Sequence, residues 1–346
     1  MDQQSDDVPL GPALVGIVYN LKHAADETVP ADDQAEYDSP DTVLAIEKAI
    51  RRHGIDTVLL EADEHLPQKL SERRPDIVFN IAEGRNGRAR EAQVPALLSL
   101  LNIPVTGSDE TTLCIALDKA LTKRLLSTYH IPTPHYKLFE PGAPVRGTSL
   151  RYPVIVKPNA EGSSKGIADV CVAKTPAELA ALITNSASRY REAVLAEEFI
   201  DGREFTIGVL GNGPGARVFP PMEILYHRTP AGGYRVYNYT VKQNYPEYVE
   251  YRCPAELSPS LESALIGAAR RVFLALGCHD LARIDFRADA EERVYFIEIN
   301  PLPGLAPHYS DYPMLAEFCG MQYDELIMEI LRAGAARCGV DLSKRR

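Results

Sequence analysis

The chain has no CxxC pair. Its six cysteines (Cys114, Cys171, Cys253, Cys278, Cys319 and Cys338) are widely scattered, which argues against a structural zinc site. They read as buried or incidental thiols in a reducing compartment. No basic stripe runs along the sequence, so a nucleic-acid partner finds no support. The first apolar run is too short for a membrane span, and the opening MDQQSDD has no basic n-region. A soluble, cytoplasmic protein with no membrane partner is expected. Internal repeats and low-complexity segments are also missing.

What remains is ordinary globular composition, 45% hydrophobic and 25% charged. The length of 346 residues allows two or three lobes with sizeable cores. The net charge of −11 is unevenly placed, because residues 1–41 hold ten acids against Lys22 alone. The rest is almost balanced, so acidity says little about the substrate.

Ala13–Tyr19 fits a buried parallel strand, and Thr57–Leu60, Asp76–Ile81 and Ile103–Thr106 are further strands. Ser39-Pro40-Asp41 caps a helix whose apolar side is Val43, Ile46, Ala49 and Ile50, and Glu91–Leu101 reads as another. This alternation predicts an α/β lobe with a mostly parallel sheet, ending near Gly107. A helix then spans Leu113–Tyr129. Strands at Val154–Lys157, Ala168–Val172, Val194–Phe199 and Glu204–Leu210, with a helix over Ala177–Ser186, give an α+β stretch ending near Gly211. A third stretch holds a strand near Val218, a tyrosine-rich loop, a helix over Ser260–Leu276, a hairpin and a last helix over Tyr323–Ala335.

Four constellations carry chemistry. Val154-Ile155-Val156-Lys157-Pro158 leads into Asn159-Ala160-Glu161-Gly162-Ser163-Ser164-Lys165-Gly166. Its glycines and serines let backbone amides approach an anion, and Lys157 adds a fixed charge; the alternative is a flexible hairpin loop. GxxxxGK[ST] is not present, so it is no P-loop. Glu197 and Glu204 flank a Gly202 turn and offer carboxylates to an adenine and a ribose, or form a solvated acidic turn. Tyr226–Tyr251 holds seven of the seventeen tyrosines and reads as a lid or as aromatic packing. In the hairpin Arg283–Gly304, residues two apart share a face. Arg283 and Asp285 point one way and Ile284 and Phe286 the other. Across the acidic turn Asp289–Glu292, Glu298 and Asn300 share a face opposed by Ile297 and Ile299. These oxygen donors suit Mg²⁺, or make a solvated polar edge.

The order of these motifs resembles the ATP-grasp superfamily, and within it the D-alanine–D-alanine ligase family. The similarity covers nearly all of residues 13–335. It is strongest in PVIVKPNAEGSSKGI, EEFIDGREFTIGVLG, CPAEL and ARIDF…YFIEINPLPGL. The resemblance implies an ATP-grasp fold: an N-terminal α/β lobe with a parallel sheet (13–108), then a central α+β lobe (109–212) and a C-terminal α+β lobe (213–340) clasping ATP. It implies that Lys119, Lys157, Ser163 and Ser164 contact phosphates, that Glu197, Phe199 and Ile200 line the adenine slot, and that Glu204 takes the ribose. Lys242 would reach the γ-phosphate from the lid. Asp285, Glu298 and Asn300 would hold Mg²⁺, with Mn²⁺ as a substitute. Arg283 and the Gly304 amide would face the reacting carboxylate. The activity implied is ATP-dependent carboxylate–amine ligation through an acylphosphate, on amino acids or short peptides; dimers are frequent in the family. A kinase or carboxylase, or a non-catalytic nucleotide-binding protein, are the alternatives.

Departures fall where substrates bind. Gln243 stands where the family has a lid Tyr, which joins the loop serine matched by Ser163. The family's N-terminal Glu-x-x-Val-Ser turn is replaced by Tyr19-Asn20-Leu21-Lys22 and an acidic insertion, in which Glu36 or Asp38 are substitutes. Asn80-Ile81-Ala82-Glu83-Gly84 replaces a His-Gly passage. His308-Tyr309-Ser310 carries one extra residue, which makes Ser310 the match near the second substrate. Two readings therefore stand: a D-Ala–D-Ala ligase, or a ligase for another amino acid or small peptide.

Overall fold

A computed structural model describes residues 11–22, 37–145, 148–161, 171–229, 233–237, 241 and 244–345. Three sheets organise them. The first is parallel, in the order β2-β1-β3, from β1 (Leu14–Tyr19), β2 (Asp56–Glu61) and β3 (Ile77–Asn80). The near-continuous apolar run of β1 suits a strand covered on both faces, and Val15, Ile17 and Val18 are fully buried. Ile103–Thr106, expected as a strand, contributes one parallel bridge, Val78 to Val105; Pro104 has no N–H to extend the ladder. The helix Pro40–Arg51 starts as its sequence predicts, with the Ser39 side chain accepting the Thr42 N–H. A short helix, Leu66–Glu72, was not expected.

The helix predicted over Leu113–Tyr129 is two helices, Glu110–Leu117 and Lys119–Thr128. Asp118 breaks it. Its ψ of 95° leaves the helical region, and its carboxylate caps the second helix at the Leu121 N–H. Lys119 thereby becomes the first residue of a helix, directed by the cap.

The second sheet is antiparallel, in the order β4-β7-β5-β6, from β4 (Tyr136–Phe139), β5 (Val154–Pro158), β6 (Val172–Ala173) and β7 (Val194–Glu198). Of the strand expected over Ala168–Val172, residues 168–170 lie outside the described residues. The helix Pro176–Tyr190 packs Leu179 and Ile183 onto this sheet.

The third sheet runs β11-β10-β8-β12-β13, with β9 beside β8. Its strands are β8 (Arg203–Leu210), β9 (Arg217–Val218), β10 (Met222–Tyr226), β11 (Val249–Arg252), β12 (Leu281–Ala288) and β13 (Val294–Asn300). β8, read from sequence with the middle stretch, pairs with β12 along its whole length and so lies in the third sheet. Gly202 has φ +152°, and a Cβ there would stand 2.1 Å from the Ala288 carbonyl oxygen; only glycine lets the chain cross between sheets at this point. The helix Pro259–Ala275 buries its predicted stripe, Leu261, Leu265, Ala268 and Val272, against this sheet.

The ends of the chain meet. Ile46 and Ile50 of the first helix share a core with Ile327 and Leu331 of the last helix, Tyr323–Cys338. Asp280, fully buried, ties three segments: its carboxylate accepts from Gly107 N at 2.8 Å, Asn212 Nδ2 at 2.7 Å and Arg337 Nη2 at 2.8 Å. Among the described residues no helix is long and apolar enough to cross a membrane.

Candidate active site

The β12–β13 hairpin supplies one wall. Arg283 pairs with Asn300 and Asp285 with Glu298, so four polar residues occupy one face, while Ile284 and Phe286 are fully buried behind them. The register then slips, and Phe286 pairs with Phe296. Ile297 is the extra residue of this bulge. Strict alternation places Ile297 with Ile299 on the aliphatic face. Instead the bulge turns Ile297 into the wall of a cleft, and Ile299 alone stays in the core. The acidic turn is held by Asp289, whose Oδ1 accepts the Glu291 and Arg293 N–H groups.

The cleft, about 860 Å³ with its open mouth, lies between the second and third sheets. It gathers Lys157, Glu197, Phe199, Ile200 and Glu204 with Arg283, Asp285 and Glu298. A smaller adjoining space shares Arg283 and Glu298 and adds Lys119, Asn300, Glu83 and Glu91. Gly304 and Ser310 are not brought to the cleft wall; they pack on each other, a Cβ at Gly304 falling 2.9 Å from Ser310 Oγ, which accepts the Ala306 N–H. The neighbouring Asp311 lines the cleft in their stead. Ser163, Ser164, Lys242, Gln243 and Glu36 lie outside the described residues. Asp38 is half-buried, and desolvation pushes its carboxyl up to about 7.

The tyrosine-rich stretch is partly regular structure. It contains β10's last residue, the short helix Tyr245–Tyr248 and β11. Tyr226, Tyr237, Tyr245, Tyr248 and Tyr251 pack around Ile224, Val241 and Val249, and Tyr237 also faces the cleft.

Electrostatics explain how these charges coexist. Glu197 lies between Lys157 at 2.6 Å and Lys123 at 3.0 Å. Burial alone pushes its carboxyl up, but the two ammonium groups outweigh that and hold it down to about 2. Lys123 is fully buried, and desolvation pushes it down to about 8 even though Glu197 opposes the shift. Its Nζ also donates to Thr133 Oγ1 at 2.8 Å and to the bulged Ile297 carbonyl at 3.2 Å. Sequence reasoning missed Lys123. The available signal was its spacing four residues after Lys119, on the same face of the helix.

Arg287 was missed as well, although it shares the parity of Arg283 and Asp285. It donates to Glu204 Oε2 at 3.0 Å, and its guanidinium carbon lies 4.8 Å from the Phe199 ring centre. Glu204 Oε2 also accepts from the Tyr226 hydroxyl at 2.9 Å.

Arg283 is ringed by carboxylates. Its Nη2 donates to Asp285 Oδ2 at 2.9 Å and its Nη1 to Asp311 Oδ2 at 3.4 Å, with Glu298 Oε1 at 3.9 Å. Burial and the facing Glu298 push Asp285 up against the pull of Arg283. Glu298 moves down, because Lys119, Lys157 and Arg283 outweigh its burial. Two carboxylates and an amide oxygen on adjacent register positions form a hard-oxygen donor set that fits Mg²⁺. No cluster of three or more His, Cys, Asp or Glu side chains suited to a metal occurs among the described residues; this set has two carboxylates, its third donor being Asn300.

Comparison with known proteins gives this geometry a family. A family model described as D-ala D-ala ligase C-terminus matches residues 125–332. A D-alanine–D-alanine ligase of Syntrophotalea carbinolica is 36% identical over 296 residues, covering 86% of this chain and 91% of that protein. One from Bordetella avium is 34% identical, covering 83% and 86%. The crystal structure of the Bacillus anthracis enzyme complexed with ATP superposes with a TM-score of 0.74 at 20% identity, covering 94% of this chain and 99% of that one. The chain belongs to the D-alanine–D-alanine ligase family of ATP-dependent, ATP-grasp ligases.

Proposed function

We propose that the chain joins a carboxylate to an amine through an acylphosphate, with nucleotide held between the second and third sheets. The observation that carries this reading is the meeting of Lys157, Phe199, Glu204, Arg283, Asp285 and Glu298 in one cleft. Phe199 and Ile200 flank the adenine, Glu204 accepts from the ribose, and Lys119 and Lys157 face the phosphates. Glu197 is committed to two buried lysines, so its part is to hold Lys157 in place at the edge of the slot. Asp285, Glu298 and Asn300 would hold Mg²⁺ or Mn²⁺, which when bound neutralises charge on the transferred phosphoryl group. Lys242, Ser163 and Ser164 complete the phosphate contacts.

Arg283, on the cleft wall, would stabilise the oxyanion formed when the amine attacks, a donor role worth ~3 kcal/mol; the Gly304 amide, which lies off that wall, would join it only after the turn moves. The bonds of Arg283 to Asp285 use oxygens that the metal role also needs, so a cation held by Asp285 would compete with the guanidinium for them. Gln243 is a proposed substrate contact, and Asp311, which lines the cleft where Ser310 does not, takes the place expected of Ser310. Cytoplasmic placement is supported by the six free cysteines, and a homodimer by family resemblance alone.

D-alanine is the substrate named for the relatives. A second reading, substrates other than D-alanine, is favoured by Glu83 and Glu91 in the adjoining space and by Asp311 beside Arg283. Incubation with ATP, Mg²⁺ and a panel of D- and L-amino acids, followed by mass spectrometry, separates the two. D-Ala–D-Ala as dominant product excludes the second reading. ATP binding without phosphate release on any substrate points to a non-catalytic nucleotide-binding protein.

A further inference from the structure

We infer that Arg287 is a positioning residue that sets the cleft's preference for an intact ribose. The inference rests on the nucleotide reading of the cleft. Arg287 faces Glu204 directly across the β8–β12 ladder, where side chains of paired strands touch. Three of its contacts are fixed: Nη1 to Glu204 Oε2 at 3.0 Å, Nη1 to the Arg235 carbonyl at 3.1 Å and Nη2 to the Gly202 carbonyl at 3.3 Å. The guanidinium is thus tethered to the turn that enters β8 and to the segment that follows β10. Its face lies against Phe199, whose edge meets Tyr234 at 5.3 Å.

Two features separate this arrangement from a plain structural ion pair. Arg287 is only 6% exposed, yet its Nε is buried without a hydrogen-bond partner among the described residues. A guanidinium buried only for structure would leave no N–H unpaired, since an unmet buried donor costs stability. And both hydrogen bonds of Glu204 among the described residues, from Arg287 and Tyr226, go to Oε2. Within that set Oε1 is left to accept from a ligand.

A vicinal diol meets the second of these: its hydroxyls donate to Glu204 Oε1, while Arg287 holds Oε2 and so aims the carboxylate. The fork of arginine fixes which oxygen of Glu204 is spent, which a lysine or an apolar side chain cannot do.

The test is calorimetric binding of ADP and of 2′,3′-dideoxy-ADP, each with Mg²⁺, which needs no knowledge of the amino-acid substrates. The wild-type protein is expected to favour ADP by about tenfold or more. Arg287→Met, which keeps length and packing, should weaken ADP while leaving the dideoxy analogue within about twofold, collapsing the ratio toward one. A ratio unchanged in Arg287→Met, or equal weakening of both nucleotides, overturns the inference while leaving the nucleotide reading intact. Wild-type protein that binds neither nucleotide overturns both. Should Arg287→Met fail to fold by circular dichroism, Arg287→Lys is measured instead: a ratio reduced about threefold or more supports the assignment, and an unchanged one overturns it.

Discussion

Glu197→Gln removes one negative charge from between two buried lysines, and the structure sets the size of the effect. The carboxyl is held at about 2 against an ordinary 4.5, a difference worth on the order of 3 kcal/mol at neutral pH. Glutamine keeps the shape and one acceptor but leaves Lys123 and Lys157 without their shared anion. Unfolding entropy of about 2 cal/mol/K per residue gives roughly 0.7 kcal/mol/K for this chain, so Tm should fall by about 4–5 °C. The loss carries a pH signature. Lys123 is already pushed down to about 8, and without Glu197 it falls further, so the unfolded chain binds the extra proton. Stability of the variant then rises with pH toward the ordinary lysine range of about 10.4. The deficit should be larger at pH 6 than at pH 9. Adding Lys123→Met should recover part of it, because one unpaired cation is gone. Thermal scans of the wild type, both single variants and the double variant decide the matter. A Tm within about 1 °C of wild type for Glu197→Gln, or strict additivity in the cycle, would refute the reasoning.

Glu298→Gln should lower turnover, read as ADP release with the active substrate pair, by about a hundredfold or more without altering the circular dichroism spectrum; unchanged turnover removes Glu298 from the metal set. Asp280→Asn should behave in the opposite way. Its carboxylate accepts from Gly107, Asn212 and Arg337 at once, and an amide would present a donor to donors. We expect a loss of about 1–3 kcal/mol in thermal unfolding, from buried donors left without an acceptor at position 280, with nucleotide affinity in the folded protein unchanged. A stable Asp280→Asn variant would show that the three segments are held by packing alone.

The hairpin was legible because strand parity is rigid: once Arg283 and Asp285 are on one strand, Glu298 and Asn300 on the next can only meet them or miss them as a set. Parity failed at Ile297, where one inserted residue resets the face, and no residue type there announces a bulge. Helix ends that carry caps were likewise readable at Ser39. At Asp118 the same capping chemistry lay inside an unbroken apolar periodicity, and the periodicity was followed. The sheet that owns β8 was not legible at all, since sequence adjacency to β7 says nothing about the long-range pairing with β12.

The buried cations were the hardest to see, for a physical reason. A lysine or arginine in a periodic element reads as solvated because burying it alone is prohibitive. Lys123 and Arg287 escape that cost through partners supplied by other segments: Glu197, Thr133 and the Ile297 carbonyl for one, Glu204, Arg235 and Gly202 for the other. All but Thr133 are distant in sequence, and one exists only because of the bulge. The motif residues at the rim of the cleft could be named one by one. The charges that hold them in place are intelligible only as a network, in which the wall anions Glu197, Glu204, Glu298 and Asp311 each face a cation drawn from a different strand or helix, while Arg283 and Asp285 pair within β12. A metal held by Asp285 would compete for that contact, so the pair within β12 is where the bonding of the wall would rearrange.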